Sequence, residues 1–131
     1  MISIAKTEKT PRILFNPDTR VFEIEGNSRP ENVRDFYYPL IETIEQYFAK
    51  ASVEQFKTIP FNFHFRMGYF NSSSAKFFAD ILMAAAEHHE RGINIIINWY
   101  YEDSDEDMRS AGEDFEEMSG IPFKYIALPK E

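Results

Sequence analysis

The spacing of apolar positions changes several times along the chain, and each change marks an element. Arg12-Ile13-Leu14-Phe15 and Arg20-Val21-Phe22-Glu23-Ile24-Glu25 flank Asn16-Pro17-Asp18-Thr19, a tight-turn composition, and predict a hairpin. Pro30-Glu31-Asn32 then opens a helix with Val33, Phe36, Tyr37, Leu40, Ile41, Ile44, Tyr47 and Phe48 at three- and four-residue spacing, expected to kink at Pro39. From Ile59 to Met67 the period drops to two. Phe61, Phe63, Phe65 and Met67 share one face and Asn62, His64 and Arg66 the other, as in a strand with one wet side.

Gly68-Tyr69-Phe70-Asn71 reads as a turn into Ser72-Ser73-Ser74 and a second helix carrying Phe77, Phe78, Ile81, Leu82 and Ala85, ended by Gly92. The nearly unbroken apolar run Ile93 to Tyr101 predicts a strand covered on both faces at the sheet centre. Ser104 to Asp107 starts a third helix in capping-box style, with Met108, Ala111, Phe115 and Met118 as its buried stripe, and Pro122 to Leu128 supplies a last strand. Strands alternating with helices predict one α/β domain over residues 1–131, a mixed β-sheet with helices mainly on one face, preceded by a flexible extension at 1–9.

The 131 residues include thirteen Phe, seven Tyr and one Trp, ample for a core in a domain of this size. The absence of Cys excludes disulfides, zinc ribbons and thiol nucleophiles, and suits a reducing compartment. With no secretory h-region and no apolar run of membrane-spanning length, the expected location is cytoplasmic with no membrane partner. A net charge of -8 argues against nucleic acid as a partner.

That charge is local, because Glu102 to Glu117 holds nine carboxylates and one base, Arg109, and so carries the whole excess. Asp103, Asp105 and Asp107 have the alternation of a calcium loop, but Met108 stands where its glycine belongs and Asp114 where its glutamate belongs. A solvated helix face, or a dock for a basic partner, fits better than a metal-dependent enzyme using 102–117. Neighbouring His88 and His89 point about 100° apart on a helix and chelate poorly, so an exposed last turn is expected. His64 has no adjacent nucleophile or acid to complete a triad. The expectation is no catalytic residues, no metal and no cofactor.

Asn71-Ser72-Ser73-Ser74 is the remaining candidate. Helix capping needs only one such side chain, and a phosphoryl group here would lie near unpaired amides and the positive helix end. In otherwise near-neutral surroundings the added charge would be a large local change.

Tyr69-Phe70-Asn71-Ser72-Ser73-Ser74, Trp99-Tyr100-Tyr101-Glu102-Asp103, Asp105-Glu106-Asp107-Met108 and the Pro30-Glu31-Asn32 helix entry together resemble the SiaC family of bacterial regulatory phosphoproteins, over about Thr10 to Phe123. The resemblance implies a STAS-like fold and a non-enzymatic switch. In such a switch the hydroxyl after the Asn is phosphorylated by a dedicated protein kinase and released by a PP2C-type phosphatase, and the unphosphorylated form activates a diguanylate cyclase in cyclic di-GMP and biofilm control. Carried to this chain, the acceptor is Ser72, a position where the family commonly has Thr, with Ser73 and Ser74 as alternates. Tyr69, Phe70, Asn71 and Lys76 border it as the expected partner-binding surface, although core packing serves Tyr69 and Phe70 equally well. The alternative is a binding module that uses Asn62, His64 and Arg66 on the wet sheet face without phosphorylation.

Overall fold

The computed structural model describes residues 1–129. Six strands, β1 (Ile2–Ile4), β2 (Arg12–Asn16), β3 (Val21–Ser28), β4 (Phe61–Phe70), β5 (Ile95–Glu102) and β6 (Phe123–Leu128), form one sheet in chain order. The first three pair antiparallel, and β3 to β6 run parallel. Parallel neighbours need a crossover, and these are α1 (Val33–Lys50), α2 (Ser72–Glu90) and α3 (Glu106–Ser119). The mixed sheet of a single α/β domain is thus as the sequence predicts.

Side chains alternate on β4 as expected: Phe61, Phe63 and Phe65 are fully buried, and Asn62, His64 and Arg66 face outward, partly exposed. All three helices cover the phenylalanine side. Phe48 of α1 packs between Phe61 and Phe63, Phe78 of α2 meets Phe65, and Trp99 of β5 stacks on Phe65 and Phe123. Each such ring, fully buried, contributes about 1.5–3 kcal/mol through lost water contact. One helical layer on one face leaves the other open, which is why Asn62, His64 and Arg66 remain wet.

Several expectations are corrected. The segment at 1–9 does not hang free of the sheet, because Ile2, Ser3 and Ile4 pair with Phe15, Leu14 and Ile13 as an edge strand, and Arg29 N–H donates to Lys9 O at 2.8 Å. The β5 strand lies one position in from the edge, and β3 and β4 hold the centre. Its long apolar run does reflect cover on both faces: α3 packs on one side, and Asn98 and Tyr100 on the other are only 6% and 8% exposed. As expected, α1 is one helix through Pro39 and not two, and the Pro39 carbonyl accepts a hydrogen bond from Thr43 Oγ1 at 2.9 Å. On α3 Met108 is buried and Ala111 and Phe115 pack partly buried against the core as expected, but Met118 is 44% exposed and Gly112, not foreseen, is buried. Asp105, not Ser104, caps this helix, accepting from Met108 N–H at 3.0 Å.

α1 and α2 lie side by side and point the same way. Tyr37 meets Phe77 and Phe78 near their starts, and Phe48 stacks on His88 near their ends. Arg91, just past α2, ties the two ends together by donating to Phe48 O at 2.6 Å and Ala51 O at 3.0 Å, carbonyls at the end of α1. Its Nε donates to His88 Nδ1 at 3.0 Å, so His88 is a packed residue rather than a free one.

Candidate functional site

The serine run sits where β4 ends and α2 begins, and a slip in the ladder determines what faces outward there. Gly26 pairs with Met67 but Asn27 pairs with Tyr69, which leaves Gly68 unmatched as a β-bulge. Gly68 suits this position because a Cβ there would come within 3.1 Å of Asn27 Oδ1. Strict alternation from Met67 would send Tyr69 inward. The extra residue reverses this: Tyr69 is 51% exposed, while Phe70 turns in against Phe78, Trp99 and Phe115.

Asn71 is the N-cap of α2, its Oδ1 accepting from Ser74 N–H at 2.9 Å, and its own N–H donates to Ser28 O at 3.0 Å. Ser72 and Ser73 occupy the first two helical positions with exposed side chains, and their amides have no intrahelical acceptor. Ser74, one turn in, is fully buried. Its Oγ lies 2.7 Å from Ser28 Oγ, which lies 2.5 Å from Tyr37 Oη, and it also donates to Ser28 O at 3.2 Å. Burial pushes the Tyr37 phenol far above its ordinary pKa, against the opposing pull of the Ser28 and Ser74 hydrogen bonds, so it stays neutral. This knot fastens the end of β3, α1 and the start of α2 together.

The seven neighbouring residues named from the sequence therefore separate by role. Ser72 and Ser73 can meet a partner or an enzyme, whereas Ser74 is removed from the acceptor set because its hydroxyl is consumed in the core. Tyr69 and Lys76 are exposed, Lys76 reaching Asp80 at 3.6 Å and lying 4.6 Å over the Phe77 ring. Asn71 serves as a cap and Phe70 as core. A second correction concerns charge. A cavity of about 350 Å³ is lined by Gly68, Tyr69 and Phe70 together with Asp105, Asp107, Met108 and Ala111, so the acidic start of α3 borders the site rather than lying apart from it.

The other candidates are largely engaged in structure. Across the open sheet face, Arg12 pairs with Glu23 at 3.2 Å, Arg66 with Glu25 at 3.6 Å, and the Arg66 guanidinium lies 4.2 Å over Tyr100, whose hydroxyl meets His64 Nδ1 at 2.9 Å. Asn98 Nδ2 donates to Asn62 Oδ1 at 3.1 Å. These cross-strand pairs neutralise one another. On the acidic helix, Glu116 accepts from Phe123 N–H at 2.8 Å and Tyr125 Oη at 2.7 Å. Among the described residues no three His, Asp or Glu converge as metal ligands, and no helix is long and apolar enough to cross a membrane.

Burial lowers the pKa of His64, with Glu23 opposing and Arg66 assisting, and burial followed by Arg91 lowers that of His88. Both imidazoles bind a proton more readily in the unfolded chain. Their contribution to stability is therefore complete above about pH 6.5 and is lost as the pH falls through the lower folded-state values. His64→Asn and His88→Asn are each expected to flatten the fall in Tm between about pH 7 and pH 5, measured by thermal melts across that range. An unchanged slope in both variants would refute the assignment.

The site is thus an exposed pair of hydroxyls on a firmly held helix start, beside an exposed tyrosine and lysine, on a small α/β domain. The model of the SiaC family regulatory phosphoproteins matches residues 4–128, and the chain belongs to that family. An uncharacterized protein of Pseudomonas aeruginosa (strain UCBPP-PA14) is 28% identical over 126 residues, covering 96% of this chain and 95% of the relative. A chain in the crystal structure of the diguanylate cyclase SiaD in complex with its activator SiaC, from Pseudomonas aeruginosa, superposes with a TM-score of 0.87 at 27% identity, over 98% of this chain and 100% of that one. The crystal structure of apo-SiaC from the same organism gives a TM-score of 0.83 at 27% identity, over 96% and 98% of the two chains.

Proposed function

We propose that this protein binds and activates a diguanylate cyclase, and that phosphorylation of Ser72 switches the activation off. The observation that carries the first half is the whole-length likeness to a chain from a cyclase–activator complex. The second half rests on family membership and on a hydroxyl, directly after the capping Asn71, that is exposed at the first position of α2.

Phosphorylation here changes the interface without refolding the domain. The neutral Ser72 hydroxyl can be covered by a partner at a small desolvation cost. A phosphate carries nearly two negative charges, and covering it without a cationic partner costs several kcal/mol. Helix α2 tolerates it, since the free amides and the positive helix end favour an anion. A protein kinase adds the group and a PP2C-type phosphatase removes it, both reaching a side chain that lies on the surface. No cofactor enters this scheme.

The test is a binding titration of purified cyclase against wild type, Ser72→Ala and Ser72→Asp, with cyclic di-GMP production as a second readout. Ser72→Ala is expected to bind and activate like wild type, and Ser72→Asp to lose at least tenfold in affinity, about 1.4 kcal/mol. Equal activation by both variants would sink the switch.

A further inference from the structure

The turn that carries Ser72 is held at both ends by one residue. On the near side Asn71 N–H donates to Ser28 O at 3.0 Å, and on the far side Ser74 Oγ donates to the same carbonyl at 3.2 Å. Ser72 and Ser73 lie exposed between these two anchors. The hydroxyls behind them have one arrangement in which every proton finds an acceptor. Ser74 donates to Ser28 O, Ser28 donates to Ser74 Oγ at 2.7 Å, and Tyr37 donates to Ser28 Oγ at 2.5 Å. Tyr37 is itself fixed by rings, with Phe36 and Phe78 edge-on and Phe77 stacked against it. The bonds therefore run without a gap from the acceptor turn, through the end of β3, into the packed start of α1.

Neither capping nor stability accounts for this arrangement. Asn71 already caps α2 by accepting from Ser74 N–H. Three hydroxyls buried among aromatic rings add little net stability, because their bonds replace bonds to water. What they add is direction: rings slide over one another at small cost, whereas a short O–H···O bond fixes a position. Helix ends otherwise fray at almost no cost in free energy. Phosphoryl transfer, in contrast, needs the attacking oxygen in line and about 3–3.5 Å from phosphorus. A hydroxyl at the first position of a helix meets that demand when the first turn is held closed.

We infer that Ser28, Tyr37 and Ser74 are positioning residues for the phosphorylation of Ser72, keeping the first turn of α2 in the one shape that the protein kinase accepts. This rests on the switch reading above and adds to it that the kinase reads the folded turn, not an extended segment. Only the closed turn is then competent to bind. The KM for this protein rises as the inverse of the fraction closed, while kcat, set after binding has selected the closed turn, stays as it was. A kinase that draws its acceptor into an extended groove behaves in the opposite way, because a loosened turn is easier to extract and KM falls.

The test is steady-state phosphorylation of the full chain by its cognate protein kinase, with ATP saturating and the concentration of this protein varied. The decisive variant is the triple Ser28→Ala/Tyr37→Phe/Ser74→Ala. It removes the three hydroxyls together and orphans no buried donor, so its melting curve is expected to stay close to wild type. Tyr37→Phe is the milder form, and Ile97→Val, fully buried in β5, is a control that loses stability away from the turn. The triple variant is expected to raise KM roughly fivefold or more, and Tyr37→Phe about twofold or more, each with kcat within about twofold of wild type. Ile97→Val is expected to leave both constants unchanged. Amide exchange at Ser74 and Ala75, whose N–H groups donate to Asn71, is expected to quicken in the triple variant and in Tyr37→Phe but not in Ile97→Val. A wild-type or lower KM in the triple variant, or an equal rise in Ile97→Val, overturns the positioning role and leaves the switch standing. Failure of the kinase to modify Ser72 in the wild-type protein overturns the switch itself.

Discussion

Replacing Gly112 with alanine is expected to destabilise the protein by about 2–3 kcal/mol and to lower its Tm by roughly 6–10 °C, although alanine is the better helix former by about 1 kcal/mol. The added Cβ would stand 2.5 Å from Trp99 Cδ1 and 2.6 Å from Nε1, contacts that real structures do not contain. Nothing nearby gives easily. The indole is fully buried and stacked on Phe65 and Phe123, and its N–H donates to Met108 O at 2.9 Å inside the same helix. Either α3 lifts away from the sheet or the ring tilts and leaves that carbonyl short of a bond. Trp99 is the sole tryptophan, so its emission reports the displacement directly alongside the melting curve. A variant with wild-type Tm and unshifted emission would show that α3 does not rest on the indole.

The second large effect separates three consecutive serines. Ser74→Asp is expected to cost more than about 3 kcal/mol, enough to unfold much of a marginally stable domain, because it places a carboxylate in a site with no exposure and no cation. It also breaks the Ser28–Ser74–Tyr37 knot, leaving a buried hydroxyl to find another partner. Ser72→Asp and Ser73→Asp, two residues and one residue earlier, are expected to shift stability by no more than about 0.5 kcal/mol, in the favourable direction, since an exposed acid in the first helical turn complements the dipole. Denaturant titration of the three variants decides the matter. Comparable losses in all three would mean that the start of α2 is not arranged as described. The result bears on function, because an acceptor must accept charge without unfolding the domain, and only Ser72 and Ser73 meet that condition.

Much of the fold was legible because short-range periodicity reports burial directly. Alternation from Phe61 to Met67 and the three- and four-residue spacing in α1 and α2 survive intact in the structure. The errors occur where the period carries less information. Met1 to Lys9 has too short an apolar pattern to advertise an edge strand that exists only through pairing with Ile13, Leu14 and Phe15. On α3 the acids crowd out the apolar signal, and the contact with Trp99 selects Gly112, a residue that hydrophobicity alone would not place in a core. Tyr69 and Phe70 could not be told apart until the bulge at Gly68 set which one faces out; Gly68 itself, inside a strand pattern, was the available signal.

By itself the chain determined the kinds of element and their order, the aromatic core, the absence of thiol chemistry, and the block of residues around Asn71-Ser72 that ties it to its family. Those are properties of composition and of spacing within a few residues. Tertiary structure decided which serines are exposed, which aromatic faces out, how close the acidic start of α3 lies to the strand end before the serine run, and that α1 and α2 run side by side in the same direction. Each of these depends on residues dozens of positions apart, such as Ser28 with Ser74 or Phe48 with His88, brought together by parallel strand pairing. Local periodicity reports whether a side chain is buried; only the packed sheet determines against what.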